Sequence, residues 1–241
     1  MSDAYRTTIQ TGTGTLDRAE RFDAALRQHM LQVYNYMASG VLLSGIVAML
    51  VASNQTAMAV IFGTPLKWVV MLAPLAFILV LSFGLHKLSD GATQALFWLF
   101  CAVMGLSMAS IFVVFTGASI ARVFFITAAT FGAMSLYGYT TKRDLSGFGS
   151  FLLMGLIGLM IAGLVNIFLQ SSMLQFAISA IGVLVFVGLT AYDTQRIKAE
   201  FLEGYEPEIL HKAKIMGALS LYLNFVNIFM MLMNLFGQRD E

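Results

Sequence analysis

Charge is what this sequence has least of. Asp, Glu, Lys and Arg make up 11% of the 241 residues, where a soluble domain carries about 25%. With 59% of residues hydrophobic, the chain holds more apolar surface than one soluble core of this length can bury. That excludes a soluble enzyme and a disordered chain. Cysteine is nearly absent: Cys101 stands alone, so a disulfide-stapled secreted domain is excluded. Proline occurs three times, which leaves long helices uninterrupted. The net charge of +1 lacks the basic excess of a nucleic-acid partner. Residues 1–27 mix Arg6, Arg18, Arg21 and Arg27 with Asp3, Asp17, Glu20 and Asp23, which is not the pattern of a cleavable signal peptide. The sequence also lacks HExxH, GxSxG, a phosphate-cradling glycine loop and CxxC. His29, His86 and His211 are isolated. No enzyme or cofactor is therefore expected, and the first partner is the lipid bilayer.

What is present is a set of long stretches without a charged side chain: 28–66, 68–86, 91–121, 123–141, 145–192 and 215–238. A spanning helix needs about 20 mostly apolar residues. The stretches predict an all-α membrane protein with spans at about 31–53, 66–87, 92–115, 118–139, 148–169, 173–195 and 212–236. The 145–192 stretch is too long for one span and breaks at Gln170-Ser171-Ser172. Barrel strands would alternate apolar and polar residues, and nothing here does. The expected organisation is a polar cytoplasmic segment, 1–28, followed by a seven-helix transmembrane domain, 29–241.

Lys and Arg set the direction, because cytoplasmic loops collect them. Seven spans place Arg6, Arg18, Arg21, Arg27, Lys87, Lys142, Arg143, Arg196, Lys198, Lys212 and Lys214 on one side. Lys67, Arg122 and Arg239 fall on the other. Eleven against three predicts a cytoplasmic N-terminus and an outside C-terminus.

Asp193 is the only acidic residue in the apolar runs. An ionisable group at membrane depth is costly unless paired, and marks a functional site by default. Its alternative is a helix-end residue that caps or pairs with Arg196. Residues equidistant from the turn of an antiparallel helix pair lie level. Asp193 and Asn224 are equidistant from the turn around Pro207, so Asn224 is expected beside Asp193. Asn227 shares its face one turn on. Asn166 and Gln170 form a second polar pair, read either as pore lining or as helix–helix glue. Small pairs such as Ala128/Gly132 and Gly105/Ala109 permit close helix packing, within the bundle or across a dimer face.

Four runs resemble the bacterial members of the Bax inhibitor-1 (TMBIM) family: Tyr137–Ser146 (YGYTTKRDLS), Gly149–Gly158 (GSFLLMGLIG), Leu189–Gln195 (LTAYDTQ) and Gly217–Phe229 (GALSLYLNFVNIF). The resemblance covers about residues 20–238. It implies a seven-helix bundle with the last helix central, and a proton-sensitive calcium leak in the inner membrane. The family's sensor is a pair of aspartates on the sixth and seventh spans, with a basic residue at the inner end of the second latching onto them. Asp193 matches the first aspartate and Lys87 the basic residue. Asn224 stands where the second aspartate would be. Asn cannot ionise, so the like-charge coupling of two close carboxylates is lost. A pH response weaker than in two-aspartate relatives, or displaced to lower pH, is expected. The competing reading is a non-conducting regulator that binds a membrane protease or other membrane proteins through residues 1–28 and 196–214.

Overall fold

The structure is a computed structural model that describes residues 3–84, 88–202 and 207–240. These form α1 (Asp3–Ala52), α2 (Gln55–Gly63), α3 (Leu66–Gly84), α4 (Asp90–Met108), α5 (Ile111–Val114), α6 (Gly117–Thr140), α7 (Ser146–Leu169), α8 (Ser172–Leu202) and α9 (Pro207–Phe236). Six of the described segments are long and apolar enough to cross a membrane, and seven if α2 and α3, bent by 81°, act as one.

The contacts of α1 and α4 decide whether that bent pair crosses. The Tyr36 ring meets the Phe97 ring at 6.1 Å. Gly40 faces Cys101, and Gly105 backs onto Ser44. The two helices advance together, so they run parallel, and the chain must return across the bundle between them. α3 makes the return: its 19 residues rise roughly 28 Å at 1.5 Å each. Pro74 lies inside α3 and has no N–H for the carbonyl four residues back. That carbonyl, of Val70, instead accepts from the Ser107 hydroxyl of α4 at 2.7 Å. The helix–helix contact thus satisfies a backbone group that lipid cannot.

Two expected boundaries need correction. The sequence reading assigns no helix between 53 and 66, yet Gln55–Gly63 is helical and Asn54 caps it, accepting from the Ala57 N–H at 3.0 Å. The expected span 92–115 turns at Ala109–Ser110 before the short α5.

The C-terminal tail reports on the number of crossings. Phe115 and Arg239 form an antiparallel bridge, and the Gln238 N–H donates to the Ser119 hydroxyl at 2.9 Å. The tail therefore sits at the connection that follows three crossings, which supports an odd total.

α9 is the central helix: 67% of its spanning window is buried, against 6% for α7. Tyr222, Leu221, Ile228 and Met233 are fully enclosed. The Tyr222 hydroxyl meets Ser44 Oγ at 2.7 Å, and the Ser44 hydroxyl donates to the Cys101 carbonyl at 2.7 Å. One polar node thus joins α1, α4 and α9 in the apolar interior.

Candidate functional site

Glycines bring α8 close to its neighbours just before Asp193. A Cβ at Gly138 of α6 would land on the Ala191 backbone carbonyl. A Cβ at Gly149 of α7 would strike the Tyr192 ring. On the other side α8 and α9 run antiparallel, with Gly217 under Ile197 and Gly182 against Met231. Asp193 is thereby fixed between three helices and is only 8% exposed.

Both carboxylate oxygens of Asp193 are occupied. The Asn224 amide donates to Oδ2 at 2.7 Å. Arg196 Nη2, one turn on, lies 3.1 Å from Oδ1. The same guanidinium donates to the Ser220 hydroxyl of α9 at 3.1 Å and places Nε 3.6 Å from Glu200. The charge is paired and hydrogen-bonded, as a buried carboxylate requires. The pairing is uneven: the Arg196 side chain is 40% exposed against 12% for Asp193. Arg196 also lines a polar recess of about 410 Å³ with Arg143, Asp144, Gln195 and Glu200. At its rim the Ser146 hydroxyl and N–H hold the Asp144 carboxyl below the usual carboxylate range. Asp144 therefore stays ionised well into mild acid.

The connection between α6 and α7 is clamped to this level of α8. The Gln195 carbonyl accepts from the Leu145 N–H at 2.8 Å, and its amide donates to the Arg143 carbonyl at 2.8 Å. Lys198 donates to the Tyr139 carbonyl at 2.9 Å and lies 4.8 Å from that ring's centroid. The Tyr137–Ser146 and Leu189–Gln195 runs, distant in sequence, thus meet around Asp193.

The expected site residues divide into groups. Asp193 and Asn224 come together as the hairpin symmetry predicts. The alternative pairing of Asp193 with Arg196 is also present, on the other oxygen. Asn227 donates to the Leu223 carbonyl at 2.8 Å and lies one turn beyond Asn224. Asn166 and Gln170 are at the opposite end of α8, roughly 30 Å away at 1.5 Å per residue. There Gln170 takes a left-handed conformation, φ 48°. Its N–H bonds the Asn166 carbonyl at 2.8 Å, and the Asn166 side chain accepts from the Ser171 N–H at 3.0 Å. Together they cap α7. Lys87 lies outside the described residues. Sequence reasoning missed Ser220 and Gln195, whose roles depend on which helices meet.

Among the described residues no three His, Cys, Asp or Glu side chains gather as a metal site. Besides Asp193, the Asp144 and Glu200 carboxylates stand at the Arg196 recess.

The chain is similar to known proteins over most of its length. The family described as "Inhibitor of apoptosis-promoting Bax1" matches residues 26–241. The inner membrane protein YbhL of Escherichia coli (strain K12) is 48% identical over 233 residues, covering 93% of this chain and all of the relative. A protein of Rickettsia prowazekii (strain Madrid E) is 46% identical over 227 residues, covering 94% and 96%. One from Deinococcus radiodurans is 42% identical over 241 residues, the full length of both.

Proposed function

Because this chain belongs to the Bax inhibitor-1 family, we propose that it is a proton-sensitive cation leak of the bacterial inner membrane, with Ca²⁺ as the transported ion, gated where α8 meets α9. The observation that carries this reading is the buried Asp193 with both oxygens occupied, one by the partly exposed Arg196. Protonating Asp193 removes the charge that holds Arg196. The guanidinium then has Glu200 and the polar recess to turn to, and the α8–α9 contact loosens. The centre of the bundle is filled by α9, so conduction requires such a movement. Asn227 is the next polar group along the path, and Asn166 with Gln170 would lie at its far mouth. Lys87 is a second cation proposed to reach Asp193. The count of eleven basic residues against three favours a cytoplasmic N-terminus and an outside C-terminus.

Purified protein in liposomes, with no partner present, is expected to pass Ca²⁺ faster in acid than at neutral pH. The absence of flux at every pH, with a membrane protease co-purifying through 1–28 or 196–214, would replace this reading with the regulator. Asn224→Asp is expected to strengthen the pH response and move it to higher pH, because two adjacent carboxylates cannot both ionise cheaply. An unchanged pH profile would remove Asn224 from the gate.

A further inference from the structure

α1 and α6 both pack on α9, yet they scarcely touch each other. Between them runs a crevice. At one end it is a space of about 510 Å³ bounded by Arg27, Leu31 and Tyr34 of α1 and by Gly132, Ser135 and Tyr139 of α6. Farther along the same two helices lies a second space of about 410 Å³ between Val41 and Gly45 of α1 and Phe124 and Ala128 of α6, floored by Phe225 of α9. Two glycines along the crevice do not mediate helix packing. A Cβ at Gly132 or at Gly45 would meet nothing within 4 Å, whereas one at Gly138 or Gly105 meets backbone. The two glycines therefore widen the gap.

The crevice is graded along its length. One end carries a cation, a hydroxyl and two tyrosines, and the rest is apolar. Arg27 is exposed and, among the described residues, has no ion-pair partner. This is the chemistry of a single lipid molecule: an anionic head at one leaflet surface and a hydrocarbon chain running inward. Basic pockets between spanning helices recognise such heads.

We propose that the α1–α6 crevice holds one acyl chain of an anionic phospholipid from the leaflet at the Arg27 end, with Arg27 on the phosphate. The lipid completes the packing of α9 that α1 and α6 leave open, independently of any ion conduction.

Native mass spectrometry of the full chain tests this, using bilayer discs of equal parts phosphatidylglycerol and phosphatidylcholine. The wild type is expected to retain one phospholipid, with phosphatidylglycerol favoured about fivefold, the effect of one basic side chain at a membrane surface. Arg27→Gln should retain a lipid without the preference. Gly132→Leu should lose the retained lipid while unfolding at the wild-type temperature. If that variant does not fold, Gly45→Leu on the opposite wall serves in its place. No retained lipid, equal retention of both lipids by the wild type, an undiminished lipid in the crevice-filling variant, or a lipid-free dimer would each overturn the proposal.

Discussion

Gly138→Val is expected to leave little folded protein. The added Cβ lands on the Ala191 carbonyl, with the Ala191 Cα and carbonyl carbon close behind. A flexible side chain could turn away, but backbone in a packed helix pair cannot. Overpacking costs about 1–3 kcal/mol where side chains yield, so the upper end or beyond applies here. The contact lies two residues before Asp193, so the α8 displacement that relieves it also pulls the carboxylate from Asn224. Thermal unfolding in detergent is the measurement. Gly132→Ala, on the same helix but facing open space, should unfold like the wild type. Equal stability of the two variants would mean that α6 and α8 do not approach as closely as described.

The second large effect is expected at Arg196. Arg196→Gln removes the cation 3.1 Å from Asp193 and keeps a hydrogen-bonding group of similar reach. Because the guanidinium is partly exposed, solvent screens the pair, and its worth is about 1 kcal/mol. That corresponds to roughly a fivefold shift between latched and released states. Ca²⁺ flux at neutral pH should rise by about that factor. Arg196→Lys should fall between the two, since an ammonium cannot span Asp193 and Ser220 as a planar fork does. Unchanged flux in Arg196→Gln would show that the pair is only a helix-end ornament.

Much of this was legible in the sequence because charges are so few. Stretches without them mark spans, and the breaks at Gln170 and around 140–146 fall where the helices end. The level placement of Asp193 and Asn224 followed from hairpin symmetry alone. The α2 segment was missed for a physical reason: a nine-residue apolar helix is too short to register as a span, and its one local signal is the Asn54 cap. Treating the Arg196 pairing as an alternative to a site at Asp193 is too narrow, because a carboxylate has two oxygens and here both are used. Ser220 and Gln195 left no sequence signal of their role, since each bonds a partner at least 24 residues away. Gly132 and Gly138 look alike in sequence, and only the tertiary structure shows that one opens a crevice while the other closes a contact.

The proposed gate requires the charge on Asp193 to hold the bundle shut. Asp193→Asn keeps the size of the side chain and fixes it in an uncharged form. Ca²⁺ flux into liposomes, measured across a pH series for wild type and Asp193→Asn side by side, tests it most directly. The variant should be open at neutral pH and indifferent to acid, while the wild type opens only as pH falls. A variant whose flux follows the wild-type pH profile would contradict it.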